Sequence, residues 1–263
     1  MERELFLKKY LDRIGIDGQL NPDLETLKKI QKQHLINIPF ENIDIFINRS
    51  LELNTDSLFN KIVKEKRGGI CYELNGLFLK LLREIGYDVK YISGRIREEG
   101  TYLDHILLLV NMDKEKYIVD VGFKDNYLYP IKMVPNLIQE NYRNTYKINK
   151  LDNDKYQLIK IVDNTETILY TFTTEEKKLS DFEMRCKDFE TTPNTYFTNN
   201  PFSAIEREDG KVFITDKKLT ITKDAEVDAK DIKNKEEFYF YLEKFFKIKL
   251  PVEIEGFSCL ANS

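Results

Sequence analysis

The spacing of hydrophobic residues changes near residue 86, and this change constrains the fold more than any other feature of the sequence. Between residues 71 and 85, apolar side chains recur every three or four positions, which predicts an amphipathic helix, and Gly86 stands where a C-terminal cap is expected. After Tyr87, apolar residues occur in short runs bounded by turn sequences, as in β-strands. The chain is therefore predicted to have a helical first third followed by a sheet.

The first 86 residues are predicted to form a helical bundle. Apolar stripes at helical spacing cover residues 5–14, 24–35 and 57–66, and Pro22 stands where the second helix is expected to open. The basic residues within and after the third stripe can meet a phosphate, but the intervening Glu65 favours a solvated helix face. These basic residues are Lys61, Lys64, Lys66 and Arg67.

Residues 87–190 are predicted to form a second unit, an antiparallel sheet or barrel that ends in a helix at 180–189. Strands are expected at residues 89–97, 105–110, 117–121, 146–149, 156–162 and 166–173. The second and third of these should form a hairpin around a turn at 111–116.

Residues 191–263 are predicted to form a third, α/β unit. A loop at 191–203 precedes two short strands, at 211–215 and 218–222, and a last helix at 235–246. The segregated helices and strands place the whole chain in the α+β class.

Composition excludes several classes of function. Lys and Arg number 41 against 45 Asp and Glu, and the net charge of −4 offers no field that would attract a nucleic acid. The longest strongly apolar run, residues 106–110, is far shorter than the ~20 residues that span a bilayer, so no membrane partner is expected. The N-terminus lacks the apolar core of a secretory signal.

The cysteines and histidines narrow the chemistry further. The chain has an odd number of cysteines, Cys71, Cys186 and Cys259, and no CxxC pair. This pattern argues against a disulfide framework and against a thiolate zinc site. It favours a reducing, cytoplasmic compartment. His34 and His105 are the only histidines, so a His-rich metal site is excluded and no metal is expected. No phosphate-binding loop, GxGxxG fingerprint or HExxH sequence is present.

Three residues are nevertheless spaced for nucleophilic catalysis. Cys71 follows Gly68-Gly69-Ile70 at a predicted helix start, where free amide groups and the helix dipole stabilise a thiolate. His105 opens a predicted strand, and Asp120 lies near the end of the next one, so that a hairpin can bring base and carboxylate together. Each residue alone is more often structural, but their joint occurrence favours an enzyme.

Four segments resemble the arylamine N-acetyltransferases. Arg67-Gly68-Gly69-Ile70-Cys71-Tyr72-Glu73-Leu74-Asn75 is similar to the RGGxCxExN nucleophile motif of that family. The other three follow in the family's order: residues 34–42 (HLINIPFEN), 104–108 (DHILL) and 119–123 (VDVGF). The resemblance implies a Cys71-His105-Asp120 triad at the junction of an N-terminal helical bundle, a central antiparallel β-barrel and a C-terminal α/β lid.

The same resemblance implies a reaction and its ligands. Acetyl-CoA would acetylate the cysteine, CoA would leave, and an arylamine, arylhydrazine or arylhydroxylamine would take the acetyl group in a ping-pong cycle. Phe40 and Phe123 would wall the acetyl and aryl pocket, and the loop that begins at Thr101 would border the coenzyme cleft. Arg67, Glu73 and Asn75 would hold the nucleophile loop, whereas His34 and Glu41 would support the fold.

Two segments depart from the family pattern, and two other functions stay open. A bulkier loop, residues 124–127, replaces a glycine-containing one, and the segment 197–203 lacks the family's Ser-Thr pair, so the residues that contact the coenzyme are unknown. A cysteine hydrolase or a transglutaminase-like enzyme would use the same triad. A binding module without turnover is the other alternative, and a monomer and a homodimer are equally compatible with the sequence.

Overall fold

The computed structural model describes residues 2–125, 127–224, 226–250, 252 and 254. Its helices are α1 (Arg3–Ile14), α2 (Leu24–Asn37), α3 (Ile43–Phe46), α4 (Thr55–Phe59), α5 (Cys71–Ile85), α6 (Glu183–Thr191) and α7 (Lys235–Tyr241). A π-helical turn, Asn60–Lys64, continues α4, another, Leu242–Phe246, continues α7, and a 3-10 turn, Leu179–Phe182, precedes α6.

Local sequence signals account for the helix ends. Asp23, rather than Pro22, is the N-cap of α2, and its carboxylate accepts the Thr26 N–H at 2.8 Å. Gly86 ends α5 in the left-handed region at φ 118°, where a side chain would be strained. The sequence-predicted bounds of this helix, 71–85, are those observed.

The described strands form two sheets. They are β1 (Phe40–Glu41), β2 (Asp88–Arg95), β3 (His105–Met112), β4 (Glu115–Val119), β5 (Ile131–Lys132), β6 (Gln139–Asn141), β7 (Asn144–Asp152), β8 (Lys155–Val162), β9 (Thr165–Thr173), β10 (Phe202–Arg207), β11 (Gly210–Thr215), β12 (Lys218–Lys223) and β13 (Glu226–Asp231).

The larger sheet curls into a nearly closed antiparallel barrel with the strand order β5-β4-β3-β2-β9-β8-β7-β6. Two amide side chains join its edges in place of backbone pairs. Gln139 accepts the Lys132 N–H at 2.8 Å and donates to the Lys132 carbonyl at 2.9 Å, and Asn141 makes the equivalent pair with Tyr129. These side chains satisfy edge groups that would otherwise lack partners.

The hairpin between β3 and β4 is confirmed, but its turn is shorter than the sequence predicts. Asn111 pairs with Lys116 and Met112 with Glu115, so the turn is only Asp113 and Lys114, at φ 50° and 69°. A two-residue turn with both φ values positive matches the twist of the strands. Its usual sequence is Asn-Gly, so Asp113-Lys114 did not indicate this turn from the sequence.

The smaller sheet has the order β1-β10-β11-β12-β13, and the sequence predicted only two of these strands. The expected loop at 191–203 is wrong at its end, because β10 begins at Phe202 and pairs Ala204 with Phe40. Strand β13 has no buried residue and is held by backbone pairing with β12. A strand without an apolar face leaves no hydrophobic period to detect.

One large core connects the helices to the inner strands. It runs from Phe6 and Tyr10 of α1 through Phe78 of α5 to Ile106 and Leu108 of β3. No helix in the described part of the chain is both long and apolar enough to cross a membrane.

We propose to divide the chain into three units, 1–86, 87–190 and 191–263. Several contacts connect them. Among these, β1 of the first unit pairs with β10 of the third, and Tyr72 of α5 packs against Phe182 and Phe189, each at a ring-centroid distance of 5.5 Å. The start of α5 therefore lies where the three units meet.

Candidate active site

Cys71 is the first residue of α5 and is 3% exposed. The glycine pair before it lies against the end of α2 and β1. A Cβ on Gly68 would be 1.9 Å from the Pro39 carbonyl oxygen, and Gly69 accepts the Glu41 N–H at 3.0 Å. Only glycine permits this approach, so the loop holds the start of the helix against β1.

A buried ion network lies behind the same loop. Arg67 contacts Glu41 at 2.8 Å and Asp44 at 2.7 Å, and Lys61 joins Asp44 at 2.8 Å to Glu73 at 2.7 Å. We call these five residues the buried ion network. Glu73 also accepts the Ile70 N–H at 3.0 Å, so the network ends on the residue before Cys71.

The network corrects one sequence interpretation. Lys61 and Arg67 are 4% and 2% exposed, so they are not part of a solvated helix face, whereas Lys64 and Lys66 are exposed. From the sequence, Glu41, Arg67 and Glu73 were expected to support the fold or the loop, whereas Lys61 was expected on a solvated face and Asp44 gave no signal. A buried lysine has the same sequence signal as a surface one. Burial and the Asp44 charge raise the pKa of Glu73, and the ammonium of Lys61 opposes them.

His105 and Asp120 form a buried pair. The Nε2 of His105 lies 2.6 Å from Oδ2 of Asp120, and both side chains are within 1% of complete burial. The other carboxylate oxygen, Oδ1, accepts the Asn75 amide and the Gly122 N–H, each at 2.9 Å. Both oxygens of Asp120 are thus occupied, and the ring nitrogen left for other proton transfers is Nδ1 of His105.

Asn75 connects the helix that carries Cys71 to the strands that carry the pair. Its Nδ2 also donates to the Ile106 carbonyl at 2.9 Å, and its Oδ1 accepts the Val121 N–H at 3.0 Å. Gly122 completes the junction, because a Cβ there would lie 2.6 Å from the Cα of Cys71. The structure therefore brings Cys71, His105 and Asp120 to one place.

The environment of the Cys71 sulfur has two opposing effects on its pKa. Burial raises the pKa of the thiol above its usual value, and the Asp120 charge adds to this rise. The amide groups of Ile106 and Tyr72 lower the pKa. Because Ile106 follows His105 directly, the sulfur lies at the end of β3 that carries the imidazole.

Phe123 and Tyr170 flank the imidazole. The ring centroid of Phe123 is 5.3 Å from that of His105 and 5.5 Å from that of Tyr170, and Tyr170 itself lies 5.2 Å from His105. The hydroxyl of Tyr170 is 3.1 Å from that of Tyr127. An aromatic side chain is ordinary for a strand residue, so the sequence gives no sign that Tyr170 lies beside the imidazole.

Phe40 lies beside the glycine pair that precedes Cys71, in an aromatic cluster. It is 6% exposed, and its ring centroid is 5.5 Å from that of Phe202 and 6.4 Å from that of Phe197. Asn42 fixes the same segment, donating to the Phe197 carbonyl at 2.7 Å and accepting the Phe202 N–H at 2.7 Å. The segment that departs from the family pattern thus contacts Phe40 directly.

Thr101 belongs to the loop immediately before His105. Its N–H and hydroxyl both donate to the carboxylate of Asp104, at 3.0 and 3.2 Å. Arg185 of α6 donates to the same carboxylate at 2.8 Å. The loop is therefore connected to α6, where Cys186 is buried. Cys259 lies outside the described residues.

His34 is remote from this constellation. It is buried among the helices, its Nδ1 is 3.0 Å from the Tyr10 hydroxyl, and burial lowers its pKa to about 3. It is a neutral core histidine at physiological pH.

Comparisons with known proteins assign the family. A family model described as N-acetyltransferase matches residues 23–254. The arylamine N-acetyltransferase of Mycolicibacterium smegmatis is 34% identical over 222 residues, which cover 81% of this chain and 80% of that protein. The solved arylamine N-acetyltransferase of Salmonella typhimurium superposes with a TM-score of 0.89 at 25% identity, covering 96% of this chain and 94% of its own. That of Mycobacterium marinum, solved in complex with CoA, has a TM-score of 0.85 at 26% identity over 92% of each chain. This chain belongs to the arylamine N-acetyltransferase family of enzymes.

Proposed function

We propose that this enzyme transfers an acetyl group from acetyl-CoA, through a thioester on Cys71, to arylamines, arylhydrazines or arylhydroxylamines. The observation that carries the proposal is the 2.6 Å contact between His105 and Asp120 beside the start of α5. The CoA complex of the Mycobacterium marinum relative supports a CoA thioester as donor.

In the first half-reaction, Nδ1 of His105 takes the thiol proton of Cys71. The resulting thiolate is buried, and the imidazolium supplies the positive charge that a buried anion requires. Asp120 holds the imidazole by its Nε2–H and stabilises the cation. The thiolate attacks the acetyl carbonyl carbon, the N–H groups at the start of α5 stabilise the oxyanion, and the CoA sulfur leaves with the proton returned by His105.

In the second half-reaction, the amine nitrogen attacks the acetyl-cysteine carbonyl. His105 takes the proton that the nitrogen loses, the C–S bond breaks, and Cys71 is restored as thiolate beside the imidazolium. Aromatic amines are weakly basic and stay neutral at pH 7, so their lone pair is available for this attack.

Three further residues are proposed to contact the substrates. Phe123, packed on His105, and Phe40, beside the glycine pair, are proposed to wall the acetyl and aryl pocket. Thr101 is proposed to border the coenzyme cleft, because its loop ends at His105. A reducing, cytoplasmic compartment suits a free thiol nucleophile, and a role in processing foreign aromatic amines follows from the acceptor class.

Intact-mass measurement after mixing with acetyl-CoA tests the proposal. We expect one acetyl adduct in the wild type and none in Cys71→Ser. The matched variant Cys186→Ser should keep the adduct, because Cys186 lies on α6 and has no part in the proposed triad. An arylamine should discharge the adduct with formation of the acetylated amine. Absence of the adduct, or its discharge to acetate at the same rate with and without amine, would refute the transferase and favour a hydrolase. Light scattering in solution will distinguish a monomer from a homodimer.

A further inference from the structure

A groove of about 940 Å³ lies apart from the residues proposed for catalysis. It is formed where the ends of α1, of the turn after α4 and of the turn after α7 meet. The residues that line it are Asp12, Arg13, Lys64, Glu65, Lys66, Phe240, Glu243, Lys244, Lys247 and Lys249. We call it the basic groove, because six of these side chains are basic and three acidic.

Two of the three acidic side chains are already paired with cations. Glu65 contacts Arg49, outside the groove, at 2.5 Å, and Glu243 contacts Lys249 at 2.8 Å. The other basic side chains of the groove outnumber the one acidic side chain that is left, so the groove carries an excess of positive charge. The three helical segments that end at the groove offset part of this positive charge, because a helix C-terminus carries roughly half a negative charge. Their sum is smaller than the excess of positive charge.

Arg13 forms the floor of this charge cluster. Its guanidinium donates to three backbone carbonyls, those of Asn37 at 2.7 Å, Ile62 at 3.1 Å and Lys66 at 3.3 Å. These acceptors are neutral, so they hold the group in place without cancelling its charge. Burial lowers its pKa only to about 10, and the side chain stays charged at pH 7.

Phe240 adds a flat apolar surface to the groove. It is 58% exposed, which is unusual for a phenylalanine, and the Lys244 ammonium lies 5.5 Å from its ring centroid. An exposed ring beside several cations suits a ligand that combines an aromatic base with phosphates. The groove is concave and of small-molecule size, whereas a membrane surface would meet a flat or convex face.

We propose that the basic groove binds a nucleoside polyphosphate, with its phosphates on Lys64, Lys66 and Lys244 and its base on Phe240. This site is separate from the acetyl-transfer site and does not depend on its mechanism. The sequence already indicates that the basic residues near 64–66 can meet a phosphate, and in the structure Phe240 and Lys244 lie across the groove from them.

ATP is the probe, measured by calorimetry at low ionic strength with the full chain. We expect ATP to bind more tightly than inorganic tripolyphosphate, and binding to weaken as salt rises. The triple variant Lys64→Gln, Lys66→Gln, Lys244→Gln should weaken ATP binding at least tenfold. A matched triple variant at exposed lysines outside the groove should bind as the wild type does; its positions are Lys29, Lys116 and Lys150.

Phe240→Leu tests the base, and acetyl transfer tests the separation of the sites. Phe240→Leu should abolish the preference for ATP over tripolyphosphate. Both triple variants should retain the wild-type kcat and KM for acetyl-CoA. Equal ATP binding by the two triple variants, competition of ATP with acetyl-CoA, or equal affinity of wild type for ATP and tripolyphosphate would each overturn the proposal. Binding to anionic phosphatidylserine vesicles without ATP binding would overturn it in favour of a membrane surface.

Discussion

Replacement of Asp120 by asparagine separates the chemistry of the proposed triad from its architecture. Oδ1 of Asp120 accepts two N–H groups, from Asn75 and Gly122. In Asp120→Asn the amide oxygen must therefore stay at that position, and the amide NH₂ must face His105. An NH₂ group donates, so Nε2 of His105 becomes an acceptor and the proton moves to Nδ1. The nitrogen that should receive the thiol proton is then already protonated.

The expected magnitudes follow from this geometry. A wrong histidine tautomer in an otherwise intact triad lowers turnover by about 10⁴, which corresponds to about 5.5 kcal/mol of transition-state stabilisation. Stability should fall by only about 1 kcal/mol, because every hydrogen bond keeps a partner. Asp120→Ala, in contrast, removes the acceptor of three buried N–H groups, those of Asn75, Gly122 and His105, and should cost about 3 kcal/mol of unfolding free energy.

Single-turnover acetylation, quenched in acid and followed by intact mass, measures the loss of turnover. Urea unfolding measures the loss of stability. Asp104→Asn is the matched control, since Asp104 precedes His105 but accepts from Thr101 and Arg185 and not from the ring. We expect its acetylation rate to stay within about threefold of wild type, a shift of under 1 kcal/mol. Acetylation of Asp120→Asn within tenfold of wild type would contradict the tautomer argument.

Three further predictions concern the surroundings of the site. Because burial lowers the pKa of His34, this side chain stays neutral in the folded protein but is protonated in the unfolded chain below about pH 6.5. The free energy of unfolding should therefore fall from about pH 6.5 toward pH 3. Measured by urea unfolding between pH 7 and 5, this fall should be about 2 kcal/mol smaller in His34→Gln than in wild type. Lys61→Met leaves the buried ion network with excess negative charge and should cost about 3–5 kcal/mol in the same assay. Gly122→Ala should reduce stability by about 1–3 kcal/mol and slow acetylation by displacing Cys71, whereas Gly94→Ala, whose nearest contact would be 3.4 Å, should be tolerated.

The sequence was most informative where a pattern is local. The helix from Cys71 to Ile85 combines a long apolar stripe with a terminal glycine, and its observed bounds are those predicted. The hairpin that joins His105 to Asp120 follows from two apolar runs and a polar turn, and the structure places the two side chains in contact. Both features depend on residues close together in the chain.

Long-range features left weaker signals. Gln139 and Asn141 close the barrel through single amide side chains, and nothing in an isolated glutamine or asparagine indicates that role. Asp44 and Lys61 are linked only after α3 and the π-helical turn come together. Strand β13 has no buried side chain, so its existence depends on the backbone groups of its neighbour.

The structure also changes the explanation for the reactivity expected of Cys71. The sequence alone favours the helix N-terminus as the source of thiolate stabilisation. The amide of Tyr72 in α5 does lower the thiol pKa, but so does the amide of Ile106, which belongs to β3. Burial acts in the opposite direction and dominates, so the helix alone would leave a neutral thiol at pH 7. The proposed mechanism therefore couples thiolate formation to proton uptake by His105, and through it to Asp120. The two explanations differ for Asp120→Asn, which leaves α5 unchanged: stabilisation by the helix predicts a reactive cysteine in that variant, and stabilisation by the imidazolium predicts an inert one.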